Sequence, residues 1–508
     1  MSETVTDCLF FVLLQAVKEC KNMENLVAKI KDLALSYGAK ELFTISELTV
    51  YENDRIGIIG KNGVGKSSLL KLLADVTHNE TGQIETYIPF SYYEQCKKQA
   101  IIHSELDWTL LSRFHVPKKS EQMSGGEAAK LRLTHTLSKY RQGLLLDEPT
   151  THLDQAGVDL LISELHYYYG TLITVSHNRY FLDQLVTKIW EIADGKLTEY
   201  TGNYTDYLNQ KKAEANSRKN AAKNYQKEKR QLEKAIIQKR QQADKITKTS
   251  AKQRKRNIKP DRLAASKQKD TIQKNAHKTA KALQSRLERL EEVKTTGKIR
   301  PIHFPLPKSL AIYNPYPIRG EKVTCLRGDK ILLKDVDFQF ANGEKIAIIG
   351  KNGSGKSSLL HQIVTGGQGI VISPKVKFAM YQQLDYMFTS SETILQYMLN
   401  QSDFSESVVR SILNNLGFTQ IELEKKINNL SGGEATRVAL ALTFIVPSNV
   451  LILDEPTNFV DFNTIEALQK LIKEYPATVL FTSHDHYFVD NVATQVFEIE
   501  NQAMQKRR

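Results

Sequence analysis

Two stretches of this chain, 290 positions apart, pair a glycine-rich turn with a lysine and two serines: GKNGVGKSS at 60–68 and GKNGSGKSS at 350–358. Gly60, Gly65, Lys66 and Ser67 fit the pattern GxxxxGK[ST], and Gly350, Gly355, Lys356 and Ser357 repeat it. Glycines, Gly63 and Gly353 included, let successive backbone N–H groups around Asn62 and Asn352 curl about a β-phosphate. The helix that comes next, opening through Ser68 or Ser358, adds the positive end of its dipole. The lysine reaches the β/γ-phosphates, and the hydroxyl of Ser67 or Ser357 is a ligand for Mg²⁺. An acidic pair then leaves an apolar run in each half, Asp147–Glu148 after LLL and Asp454–Glu455 after VLIL. Carboxylates at the end of a buried strand need a cation. The aspartates suit the Mg²⁺ shell, and the glutamates suit the water that attacks a γ-phosphate.

Those residues must be held by particular elements. RIGIIG (55–60) reads as a buried strand running into the first turn, and 45–60 as a hairpin feeding it. SGGE turns at Ser124–Gly125–Gly126 and Ser431–Gly432–Gly433 cap further helices. Apolar strands end at His177 and His484. A lone histidine at a strand end is usually structural, but its place behind three phosphate-site elements points to sensing the γ-phosphate. From Ser431 onward the second copy lies 307 positions behind the first, because its helical insert is longer.

Charge separates a third region. Residues 206–300 hold 29 Lys+Arg against 10 Asp+Glu, with one proline and one glycine, while the whole chain carries only +13. The rest of the chain has 41 basic and 47 acidic side chains. Apolar residues recur at Tyr225, Leu232, Ile236, Ala243 and Ile246, then at Ala276, Ala280, Leu283, Leu287 and Leu290. These heptad-like stripes predict two long helices packed as an antiparallel hairpin, the first of about 40 residues reaching on the order of 60 Å. Its tip, about 247–270, has only Ile258 and Leu263 as bulky apolar residues, with Arg262 beside Leu263. A solvated spacer would mix both signs of charge. This excess points to a polyanion: nucleic acid, held through phosphate contacts with strong salt dependence, or else an acidic protein or membrane surface.

The longest apolar run, 8–17, is about half of the ~20 residues that a membrane helix needs. Four cysteines show neither metal-ligand spacing nor a disulfide framework. The expectation is a cytoplasmic protein with no membrane path of its own. Residues 1–22 differ in character from the rest of the chain: either they are a short helical leader, or Met23 is the true initiator.

The phosphate loop, Gln95 after Tyr-Tyr-Glu, SGGE, LLLDEPT and SH, in this order and twice over, resemble ATP-binding-cassette domains. The resemblance implies an α/β fold with two cassettes, 23–205 and 301–508, joined by the basic hairpin at 206–300. It implies ATP with Mg²⁺, Gln95 and Gln383 joining the serines and aspartates around the metal. Tyr37 stacks on adenine by the same resemblance, and Arg327 falls opposite it in the second copy. Each SGG turn is expected to face the other copy's phosphate loop within a monomer. Site one then combines Lys66 and Glu148 with Ser431–Gly433, and site two Lys356 and Glu455 with Ser124–Gly126. Neither copy lacks its lysine, serine, aspartate, glutamate or histidine.

Two cassettes with a charged two-helix linker resemble the ABC-F family, which implies an ATPase acting on the bacterial 70S ribosome. Its linker would enter from the exit-site side and contact P-site tRNA and 23S rRNA. LHYYYGTLITVSH, GNYTDYLNQ, IKPDRLAASK, ILNNLGF and LFTSHD resemble the Msr-type resistance members of that family. They imply protection against macrolides and streptogramin B, with Ile258, Arg262 and Leu263 at the contacting tip. A housekeeping ABC-F factor for stalled ribosomes would share every motif. An ATPase subunit of an efflux pump is the different-class alternative, and it leaves the basic linker unexplained.

Overall fold

The structure, a computed structural model, describes residues 25–37, 40–76, 81–94, 106–114, 116, 125–254, 264–290, 304, 310–382, 388–458 and 460–508. In the first half the strands are β1 (Leu26–Tyr37), β2 (Lys40–Tyr51), β3 (Arg55–Gly60), β4 (Gln83–Thr86), β5 (Phe90–Tyr93), β6 (Gly143–Asp147), β7 (Thr171–Val175), β8 (Lys188–Ala193) and β9 (Lys196–Thr201). Its helices are α1 (Lys66–Leu73), α2 (Trp108–Arg113), α3 (Gly125–Ser138), α4 (Gln155–His166) and α5 (Arg179–Leu185). Then come the two long helices, α6 (Tyr204–Arg254) and α7 (Ala264–Glu288). The second half has β10 (Ile318–Arg327), β11 (Lys330–Phe340), β12 (Lys345–Gly350), β13 (Ile370–Ile372), β14 (Phe378–Tyr381), β15 (Val450–Leu453), β16 (Thr478–Thr482), β17 (Gln495–Glu500) and β18 (Ala503–Lys506). With them are α8 (Lys356–Thr365), α9 (Ile394–Asn400), α10 (Glu406–Asn415), α11 (Gly432–Ile445), α12 (Phe462–Glu474) and α13 (His486–Val492).

The first cassette is one sheet in the order β4-β1-β2-β9-β8-β3-β7-β6-β5. Its inner strands pair in parallel, β5 to β6, β6 to β7, β7 to β3 and β3 to β8. These strands are apolar without alternation, GLLLD and TLITV being buried at every residue, as a sheet covered on both faces requires. The second cassette repeats the design as β14-β15-β16-β12-β17-β18 beside β11-β10-β13. The hairpin expected over 45–60 is not formed. β2 turns back on β1, Leu33 facing Ile45, while β3 enters the parallel sheet. The alternation of β2 marks a half-exposed antiparallel strand, and the continuous burial of β3 marks a central one.

Residues 208–299 form a separate compact unit. Here α6 runs for 51 residues, about 75 Å at 1.5 Å per residue, and continues as helix through 247–254. Leu232, Ile236 and Ala280 of the expected stripes are buried, and so is Ala222. Arg240 donates to Gln284 at 3.0 Å and Arg286 pairs with Glu228 at 2.8 Å, joining α6 to α7. Ile258, Arg262 and Leu263 lie outside the described residues, as do Met1–Glu24. Among the described residues no helix is long and apolar enough to cross a membrane.

Candidate functional site

Both phosphate loops sit between a buried parallel strand and the helix after it, β3 and α1 in one cassette, β12 and α8 in the other. Gly65 has φ +100°, and a Cβ there would stand 2.9 Å from Leu35 and Phe43. No side chain fits that turn. Lys66, buried, donates to the carbonyls of Gly60 at 2.8 Å and Lys61 at 3.0 Å. Lys356 does the same with Gly350 at 2.9 Å and Lys351 at 3.2 Å. Burial lowers the pKa of both ammoniums, and the nearby glutamates, Glu148 and Glu455, oppose it.

At site one Ser67 donates to Asp147 Oδ1 at 3.0 Å, bringing two expected Mg²⁺ ligands together. At site two Asp454 Oδ1 instead accepts from Thr482 at 2.7 Å, and Thr482 in turn accepts from the Glu455 N–H at 2.8 Å. Glu148 and Glu455 hold φ of +51° and +50°. A left-handed backbone at a non-glycine residue costs on the order of 1–2 kcal/mol, and both glutamates adopt it at the equivalent place in the two copies.

Burial pushes Glu148 up to about 8 and Glu455 up to about 7. It pushes His177 down to about 3 and His484 down to about 4, with Lys66 and Lys356 acting in the same direction. The contacts of His177 Nε2 to Glu148 at 3.4 Å and His484 Nε2 to Glu455 at 3.3 Å therefore involve uncharged rings and are not ion pairs. Glu148 Oε1 and both carboxyl oxygens of Glu455 are buried without a hydrogen bond. Buried acid oxygens without a hydrogen bond, beside lysines resting on loop carbonyls, fit a magnesium–nucleotide guest with its water.

Each cassette also reaches into the other's loop. Asp461 Oδ2 accepts from the Asn62 N–H at 3.1 Å, and a Cβ on Gly433 would lie 3.3 Å from Asn62 Nδ2. In the mirrored contact Asp154 Oδ2 stands 3.4 Å from the Asn352 nitrogen, and Asn352 Nδ2 donates to the His152 carbonyl at 3.1 Å. A single cleft is lined by Lys66, Glu148, Gly126, Lys356, Glu455 and Gly433. Arg327, the residue opposite Tyr37, also borders it.

A family model described as "ABC transporter" matches residues 43–107 and 333–458, and a second of the same description matches 190–260. The erythromycin resistance ATP-binding protein MsrA of Staphylococcus epidermidis is 42% identical over 485 residues, 95% of this chain and 99% of that protein. This chain belongs to the ABC-F family. The ribosome protection protein VmlR of Bacillus subtilis (strain 168) is 32% identical, over 97% of this chain and 88% of its own. Among solved structures an archaeal ribosome recycling factor, in complex with a ribosomal stalk protein, superposes with a TM-score of 0.62 at 16% identity. It covers 94% of this chain and 90% of that one. RNase-L Inhibitor does so with 0.60 at 16%, covering 94% and 89%. At that identity the likeness concerns the fold alone.

Within this ABC-F chain the side chains of Tyr37, Gln95, Ser124 and Gln383 lie outside the described residues. Ser431 caps α11, accepting from the Glu434 N–H at 3.4 Å while Glu434 answers the Ser431 N–H at 3.0 Å. Sequence reading missed Asp154 and Asp461. Both lie the same distance beyond the acidic pair and share its 307-residue offset, which was the available signal. Tyr92, in the Tyr-Tyr-Glu before Gln95, was not singled out, yet its hydroxyl stands 3.5 Å from Asp147 Oδ2.

Proposed function

We propose that the protein is an ATPase that binds the bacterial 70S ribosome and protects it from macrolide and streptogramin B antibiotics. The observation that carries this reading is its likeness, over nearly the whole of both chains, to an erythromycin resistance ATP-binding protein. A ribosome protection protein matched over 97% of the chain supports it further.

In this reading Lys66 and Lys356, with the N–H groups of their loops, bind the phosphates of two ATP molecules. Tyr37 stacks on one adenine and Arg327 on the other, a guanidinium face being able to do so. Ser67, Gln95 and Asp147 would hold one Mg²⁺, and Ser357, Gln383 and Asp454 the second. When bound, the ion neutralises charge on the phosphates. Glu148 and Glu455 polarise the water that attacks the γ-phosphate, and His177 and His484 sense that phosphate. Ser124–Gly126 and Ser431–Gly433 complete the opposite copy's site, so that two nucleotides hold the cassettes closed.

The linker, 206–300, is the effector. Its excess of lysine and arginine suits 23S rRNA and P-site tRNA reached from the exit-site side. Ile258, Arg262 and Leu263 act at its tip, where bound drug is displaced. Hydrolysis then releases the factor. Expression in a susceptible bacterium should raise resistance to erythromycin. Glu148→Gln with Glu455→Gln should co-sediment with ribosomes in ATP and give no resistance. Sedimentation with membranes instead of ribosomes would refute the reading.

A further inference from the structure

Arg179 comes two residues after His177, opens α5, and is only 6% exposed. A guanidinium that deep needs partners, yet its Nε and Nη2 make no hydrogen bond. A carboxylate oxygen of half-exposed Glu466 is 3.8 Å away. Around the cation stand three rings and, within electrostatic reach, the carboxyl of Asp485: Arg179 Cζ lies 4.4 Å from the ring centre of Tyr487, 5.5 Å from Phe462 and 6.0 Å from Tyr204. The rings come from α13, α12 and the first residue of α6.

Phe462 is where these contacts meet. Its ring touches His177 edge-on at 5.4 Å and lies against Tyr204 at 4.8 Å with a 32° tilt. Beside it in the chain, Asp461 holds the Asn62 N–H of the site-one loop. A second path runs along α5, where Asp183 accepts from the Thr205 N–H at 2.8 Å and fastens the first turn of α6. Tyr207, one turn on, is anchored to the same cassette by its hydroxyl, which donates to Glu191 at 2.9 Å. The counterparts that would serve site two are of another kind, Gln155 for Phe462 and His486 for Arg179. Site two reaches the arginine through Tyr487, three residues beyond His484, and through the charge of Asp485, the residue next to His484. Among the described residues, however, no ring contact joins His484 to α6 as Phe462 joins His177 to Tyr204.

We infer that Arg179, Phe462 and Tyr204 are positioning residues that pass the nucleotide state of site one, in preference to site two, to the first turn of α6. Because α6 carries the linker, the inference deepens the proposed use of ATP and rests on that reading for its purpose. The coupling itself needs neither ribosome nor drug to be observed.

Amide hydrogen exchange on the full chain, in the Glu148→Gln, Glu455→Gln background with and without Mg²⁺-ATP, tests it. ATP should slow exchange over 60–68, 350–358 and 204–210. Lys66→Ala should lose the slowing over 204–210, while Lys356→Ala keeps it. Phe462→Leu should keep the slowing over 60–68 and lose it over 204–210, and Phe462→Tyr, which retains the ring, should keep both. Equal loss over 204–210 in the two lysine variants overturns the inference, as does Phe462→Leu behaving like its parent there. Should Phe462→Leu fail to fold, the lysine pair still decides, and Arg179→Met is read as Phe462→Leu would be. A chain that shows the coupling yet gives no drug resistance would count against the functional reading alone. A protective chain without the coupling would count against this inference alone.

Discussion

Replacing Asp461 by alanine asks how strongly one cassette holds the other's phosphate loop. Its Oδ1 accepts from the Thr464 N–H and hydroxyl, both at 2.8 Å, and its Oδ2 from the Asn62 N–H at 3.1 Å. Burial pushes the carboxyl's pKa up, but the bonds from Thr464 and Asn62 outweigh it and hold it below the usual value. The group is a carboxylate at neutral pH. Losing the cap of α12 costs about 1 kcal/mol of folding stability. Losing a hydrogen bond to a charged acceptor costs about 1.5–3 kcal/mol, and only this part belongs to closure over site one. At roughly 1.4 kcal/mol per decade, ATP affinity there should fall about tenfold or more.

Asp154→Ala is the matched control. It too caps a helix, through the Gly157 N–H at 3.1 Å, but its contact to Asn352 is stretched to 3.4 Å. A bond that long contributes at the low end, about 0.5 kcal/mol, or two- to threefold. Titration with a fluorescent ATP analogue reads Asp461→Ala in a Lys356→Ala background and Asp154→Ala in a Lys66→Ala background. Thermal melts alongside remove the shared loss of a cap. Equal weakening at the two sites would refute the reasoning, because the difference rests only on those two distances.

Gly65→Ala should abolish ATP binding at site one by equilibrium titration, since its Cβ meets Leu35 and Phe43 at 2.9 Å. Gly63→Ala, with φ +79° and nothing within 4 Å, should cost only about 1 kcal/mol of stability in denaturant melts. Glu228→Ala should shift stability by less than about 1 kcal/mol, because its pair with Arg286 is largely exposed. Leu263→Ala should cut erythromycin resistance in expressing cells while ATP turnover stays near the parent's; equal loss of both would point to misfolding. Chelation of Mg²⁺ should abolish ATP turnover in a phosphate-release assay and leave the circular-dichroism spectrum unchanged.

What the amino-acid order determined by itself is local. Gly65-Lys66-Ser67 specifies a loop because only glycine takes the positive φ that the turn needs, and the unbroken apolar runs before Asp147 and Asp454 specify strands covered on both faces. The repeat at 290 and 307 positions made two cassettes legible, and the 3.6- and 3.5-residue periods made the linker helices legible. The hairpin over 45–60 was misread because alternation reveals that a strand is half exposed but not which strand it pairs with. Only the tertiary structure decided who meets whom across the chain. Asn62 and Asp461 are 399 residues apart, and no local preference encodes such a contact. The same holds for Arg179, which as a sequence letter is an ordinary surface cation. It is buried only because Phe462, Tyr487 and Tyr204, from three distant elements, close around it once the cassettes have packed.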